Sequence, residues 1–174
     1  MAEGLLEKDQ VIEQVKVFTA VPDHRAGSAQ RHRDIILAWE ARGAIVIQGT
    51  FKTGSEKCGN CGNSWPVSKE KESDVNLACH LLADGLMSKI DVAYVVTSDS
   101  DISASIRLMK ELAPNVEVVT VSPPSRRHSK EILALADRSA ALTPGLLQNC
   151  LMPHKVYTKG GEILIPPGYV RPTS

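Results

Sequence analysis

Residues 95–103 read Val-Val-Thr-Ser-Asp-Ser-Asp-Ile-Ser. A run of core-type residues stops, and two carboxylates follow one residue apart. Asp99 and Asp101 are separated and flanked by the hydroxyls of Ser98 and Ser100. Like charges this close repel, and any desolvation raises the cost of keeping both ionised. A shared proton, the amides at a helix start, or a bound cation would each relieve that cost. Capping of the helix that follows accounts for one aspartate. A divalent cation accounts for both, because Mg²⁺ and Mn²⁺ take oxygen ligands from one or two carboxylates, completed by water and substrate phosphate. A third acid, Asp74, stands at a helix start in Glu-Lys-Glu-Ser-Asp-Val-Asn, with Asn76 two residues on. Asp74, Asp99 and Asp101 are therefore the candidate catalytic and metal-binding set. Glu70 and Glu72 read as loop or solvated charges.

Two further groups could do chemistry. Cys58-Gly-Asn-Cys61-Gly62 is a C-x-x-C-G turn in a polar stretch. It can be half of a tetrahedral zinc site, a pair of free thiols in a structured turn, or a redox pair. Redox pairs usually sit where a strand meets a helix start, which these surroundings do not suggest. Cys79 falls in an apolar helix and reads as core. Arg126 and Arg127 follow a strand and precede a helix. They can bind a substrate phosphate with help from the helix amides, or be plain surface charge. His128 beside them reads as exposed. Trp65, near the cysteines, can cover the turn or stack on a base.

The elements that must hold these residues follow from periodicity. Strands are expected at 15–21, 44–51, 91–97 and 116–121. Helices are expected at 28–42, from about 70, at 102–112 and near 128–137. Gly43 suits the position just past a helix end. Residues 52–69 lose all apolar period and read as a long polar loop, a knuckle insertion. The last 30 or so residues, rich in proline, read as an irregular extension with a small hairpin at Lys159-Gly160-Gly161. Alternating strands and helices imply a mostly parallel sheet, which binds ligands beyond the C-terminal strand ends. Asp99 and Asp101 lie just past such an end, on what reads as a central strand.

Composition sets limits. The chain of 174 residues has 43% hydrophobic residues, 4% aromatic residues and a formal net charge of zero. The core must be aliphatic, and no global basic field announces a nucleic acid. Four cysteines do not make a disulfide framework in a chain of this size. No stretch is long and apolar enough for a membrane span or a signal peptide, so a cytoplasmic protein with no membrane partner is expected.

The segments EKESDVNLACHLLAD, DVAYVVTSDSDISASIRLMKEL and VEVVTVSPPSRRHSKEILALAD, in this order on alternating elements, resemble the NYN domain. That family belongs to the PIN-like nuclease group and has LabA-like relatives. The resemblance covers roughly residues 14–142, leaving 143–174 as the C-terminal extension. It implies a three-layer α/β/α, Rossmann-like fold with a mostly parallel sheet. It also implies Mg²⁺- or Mn²⁺-dependent hydrolysis of RNA, single-stranded or structured, by an acidic cluster. Asp74, Asp99 and Asp101 match the family's acidic positions, and Ser98 and Ser100 match its small polar neighbours. Asn76 could face the same cleft. The match departs from the family at its start, where NYN domains have an interior strand ending in an aspartate. A degenerate module that binds RNA or a protein partner is therefore the alternative expectation. A partner chain, or re-routed N-terminal residues, could fill the gap left by the missing strand, and a homodimer is a possible assembly.

Overall fold

Wherever the sequence alternates β-branched runs with amphipathic runs, the chain builds strand, helix, strand. The computed structural model describes residues 2–123, 126–166 and 168–169. In chain order the elements are β1 (Lys16–Thr19), α1 (Ala26–Ala41), β2 (Ile45–Gln48), β3 (Thr50–Lys57), β4 (Ser64–Lys71), α2 (Ser73–Leu86) and β5 (Val92–Val96). They continue with α3 (Ser103–Leu112), β6 (Glu117–Ser122), α4 (Lys130–Leu133), β7 (Arg138–Ala141), α5 (Pro144–Asn149), β8 (Lys155–Thr158) and β9 (Gly161–Leu164). Short 3₁₀ turns span Ala2–Leu5 and Ser100–Ile102. Among the described residues no helix is long and apolar enough to cross a membrane.

These elements form two compact units. One takes the residues up to Val15 together with Leu77–Leu151, and the other takes Lys16–Asn76 with Met152–Val170. The first unit is organised by a parallel sheet in the order β5-β6-β7. The register runs from Val92 opposite Glu117 to Val96 opposite Val121, and from Val119 opposite Arg138 to Ser122 opposite Ala141. β6 is the middle strand. Its Val118, Val119 and Val121 are fully buried, as expected of a strand covered on both faces. Ile102, Ile106 and Met109 close one side with Ala93, Val95, Val116, Val118 and Ile132, and Leu77, Leu81 and Leu82 of α2 pack against them.

In the second unit β1 and β2 pair in parallel, with α1 as the connection between them. Gly43, at φ +86°, ends α1 in the left-handed conformation, as the sequence suggests. Ile35 and Ala38 of α1 are buried against Val156 and Ile165, with Trp39 beside them. The stretch 143–174, read as an irregular extension, thus supplies α5 to one unit and the antiparallel β8–β9 hairpin to the other. The hairpin closes at Lys159–Gly160, as expected.

Several expectations change. The polar loop 52–69 is instead most of an antiparallel hairpin, β3–β4, in register from Thr50 opposite Lys71 to Lys57 opposite Ser64. Both its faces are largely exposed, so no period-2 apolar pattern marks it. The strand expected at 44–51 is two strands, parted at Gly49. A side chain on Gly49 would run into the carbonyl of Lys71. The helix near 128–137 is one turn. β5 is an edge of its sheet, not its centre: β5 bonds to β6 and β1 to β2, and neither has a second neighbour among the described residues. The fold is thus mixed α/β, with two small parallel sheets and two antiparallel hairpins among the described residues.

Candidate functional site

β5 ends at Val96, and the chain turns over six residues into α3. The Asp99 amide donates to Thr97 Oγ1 at 3.1 Å. Asp99 is extended, and its Oδ1 accepts from the Asp101 amide at 2.9 Å, capping the turn Ser100–Ile102. Ile102, 2% exposed, anchors that turn in the core, and Ser105 Oγ donates to its carbonyl at 2.8 Å. The apolar anchor thus holds Asp99, Ser100 and Asp101 at the surface. Capping occupies one oxygen of Asp99 and leaves its second oxygen and the Asp101 carboxylate for another partner. Ser98 Oγ is buried with no hydrogen-bond partner, a condition that costs free energy unless something fills it.

α4 packs against the same turn. Arg126 and Arg127 are exposed on the segment leading into it. The help expected from that helix start is not available. α4 is a single turn, and its cap Ser129 already accepts the Ile132 amide. His128, read from the sequence as exposed, is half-buried, and its Nδ1 is buried without a partner. No signal in the sequence marks that burial.

Asp74 lies in the other unit, in the first turn of α2. It lines a cavity of about 250 Å³ with Phe18, Glu70, Lys71, Glu72 and Ser73. Glu70 and Glu72, read as solvated charges, form part of its wall. Glu70 accepts from Ser73 Oγ, and Glu72 accepts from Thr50 Oγ1 at 3.3 Å. Glu72 has φ +77°, in the left-handed region that a non-glycine residue seldom occupies. Asn76 is half-buried, and its amide donates to the Glu72 carbonyl at 2.7 Å. Asp99 and Asp101 are therefore brought together with Ser98 and Ser100, while Asp74 and Asn76 sit in the other unit.

Among the described residues no three Cys, His, Asp or Glu side chains gather closely enough to hold a metal by themselves. The Asp99/Asp101 donor set nevertheless fits Mg²⁺ or Mn²⁺. It consists of hard oxygens at an exposed strand end, and these ions keep several waters and share substrate phosphates.

The cysteine turn caps the β3–β4 hairpin. The Cys58 amide donates to the Asn63 carbonyl at 2.7 Å, and the Gly62 amide donates to the Cys58 carbonyl at 3.0 Å. Gly62 takes φ +72° to close the turn. The Cys58 thiol is pushed below its ordinary value, first by a hydrogen bond from the Cys61 amide, then by one from the Asn60 amide and a contact with the Cys61 thiol. Cys61 is exposed, and so is Cys79, which the sequence suggested was core; it lies on a face of α2 that the core does not cover. Trp65 is 45% exposed and stands opposite Glu56 on the hairpin.

No family model matches the chain. It is similar to a 6-hydroxy-3-succinoylpyridine 3-monooxygenase, HspA, of Pseudomonas putida, at 29% identity over 97 residues, which is 53% of this chain and 30% of that protein. The chain thus spans less than a third of that relative's length. Among solved structures, a protein of unknown function from Vibrio parahaemolyticus, VPA0982, aligns with a TM-score of 0.48 at 18% identity, over 75% of this chain and 69% of that one.

Proposed function

We propose that the chain is a metal-dependent ribonuclease with a PIN-like, three-layer fold of the NYN kind, working in the cytoplasm. The observation that carries this reading is the carboxylate pair Asp99/Asp101 held at the C-terminal end of a parallel strand, beside the unpartnered Ser98 hydroxyl. That edge of a parallel sheet is where ligands bind. Asp99 and Asp101 hold Mg²⁺ or Mn²⁺. Asp74 is the third acidic position that the sequence resemblance implies. Ser98 and Ser100 orient the RNA backbone, and Arg126 and Arg127 take a flanking phosphate, while Asn76 is a substrate contact on the strength of the resemblance alone. When bound, the cation supplies an activated water and offsets the charge that develops on the phosphodiester.

The test is calorimetric titration of Mn²⁺ into the unmodified chain and into Asp99→Asn/Asp101→Asn, followed by cleavage of labelled single-stranded RNA. Binding and cleavage should both be lost in the double variant, and Asp74→Asn should cut cleavage on its own. A chain that binds no Mn²⁺, or a double variant that still cleaves, overturns the proposal.

One observation favours a second reading. The bond from the Asp101 amide to Asp99 Oδ1 gives Asp99 a structural role without any cation. A non-catalytic RNA-binding module would retain RNA without cutting it, with affinity falling steeply as salt rises.

A further inference from the structure

The β3–β4 hairpin ends in two thiols, and among the described residues nothing beside them completes a metal site. Its strands run eight residues each and are exposed along most of their length. Cys58 and Cys61 therefore stand at an accessible apex. The turn is built as a ligand turn. Both backbone groups of Cys58 are tied across the turn, its amide to the Asn63 carbonyl and its carbonyl to the Gly62 amide. Two sulfurs three residues apart on such a turn can face one ion. Zinc in a structural site takes four ligands in a tetrahedron. No third Cys, His, Asp or Glu joins these two among the described residues. The turn is thus half a site, and its two-residue deficit equals what an identical turn supplies.

We propose that Zn²⁺ joins two copies of this chain at their hairpin tips, with Cys58 and Cys61 of each copy forming one Cys₄ site. A two-fold axis through the ion makes the contact self-complementary and closes it at two chains. Four thiolates around one Zn²⁺ leave a net charge of about −2. Lys57, exposed at the base of each turn with its aliphatic stem against Gly62, brings one positive charge per copy to offset it. Binding releases any proton still held by the thiols, so zinc affinity rises with pH. This inference is independent of the ribonuclease reading, because neither cysteine belongs to the acidic set.

The experiment uses the full chain, reduced and freed of metal by a chelator. Zinc is titrated in while mass is followed by light scattering on a sizing column, and bound zinc is counted by elemental analysis. The expected result is one zinc per two chains, with the mass doubling on zinc addition and returning to that of one chain when chelator is restored. Cobalt in place of zinc should give the thiolate charge-transfer absorption of a tetrahedral sulfur site. Cys58→Ser and Cys61→Ser should each abolish the mass change. Both lie at an exposed tip, so circular dichroism should show the variants folded. One zinc per chain with no change of mass overturns the proposal, as does a dimer that ignores the chelator. Failure to bind zinc overturns it as well.

Discussion

At the scale of single residues, Asp99 carries two roles that chemistry can separate. Its Oδ1 caps the turn leading into α3, and its charge is available to a cation. Asparagine caps nearly as well as aspartate but carries no charge, whereas alanine does neither. Asp99→Asn should therefore melt close to the unmodified chain and lose Mn²⁺ binding. Asp99→Ala should lose about 1 kcal/mol of stability as well. Thermal melts of the two variants decide it, and an asparagine variant as unstable as the alanine one would refute the split. Cys58 makes a second residue-scale case. Its thiol is held below the ordinary value by the amides of Cys61 and Asn60, so more of it is thiolate near neutrality. In metal-free protein its alkylation should reach half its maximal rate at a pH below the value for the same thiol in an unfolded peptide, as read by mass spectrometry of the labelled peptide across a pH series. A midpoint at or above that value would count against the amide–sulfur bonds. Both sites were visible in the sequence because their spacing is local: Asp-Ser-Asp and Cys-x-x-Cys position their own side chains. The burial of His128 Nδ1 and Ser98 Oγ was not visible, because it depends on which distant elements cover them.

At the scale of elements, legibility followed the number of buried faces. β6, covered on both sides, reads as VEVVTV, and α3 with the turn before it shows Ile102, Ile106 and Met109 at helical spacing. The β3–β4 hairpin was invisible because its stability comes from a backbone ladder of eight opposed pairs rather than from an apolar stripe. Helix α2 holds a packing detail that the sequence does not announce. Gly85 is buried in its last turns, and a Cβ there would collide with the Met109 sulfur. Alanine is worth about 1 kcal/mol over glycine in a helix interior. Overpacking a buried site costs about 1–3 kcal/mol, and Met109 is fully buried with little room to move. The clash should win, so Gly85→Ala should lower the melting temperature. In a Met109→Ala background the same change should raise it, since the obstacle is gone and the helix preference remains. A stabilising Gly85→Ala in the unmodified chain would show that Met109 finds another rotamer at little cost.

At the scale of the whole molecule, chain order conceals how the residues are shared between units. The unit holding α1 and the β3–β4 hairpin draws β8 and β9 from beyond Leu151, and the unit holding the parallel β5-β6-β7 sheet draws in the residues before Val15. The prolines of the last 30 or so residues mark turns, and turns do not say which core a segment joins. In the sheet unit the N-terminal residues are fastened by Tyr94 Oη donating to Gln10 Oε1 at 2.7 Å and by Arg138 bridging Glu117 and Glu7. Asp137 clips the same unit together. It accepts from Lys110 Nζ of α3 at 2.6 and 2.7 Å and from the Val118 amide of β6 at 2.8 Å. The Lys110 hydrogen bond first, and the Val118 amide next, hold its carboxyl below the ordinary aspartate value. The sign of the linkage follows. A carboxyl that is more acidic when folded binds protons more readily when unfolded, so it stabilises the fold fully above the unfolded value of about 3.9. That contribution is lost as pH falls through the lower, folded value. Asp137→Asn keeps an acceptor for Val118 but removes the charge facing the partly exposed Lys110. It should therefore cost about 1 kcal/mol at neutral pH. It should also flatten the fall of stability below about pH 4, so that the two chains approach each other in acid. Urea unfolding at a series of pH values measures both effects, and acid limbs that stay parallel would remove Asp137 from the acid sensitivity of this fold.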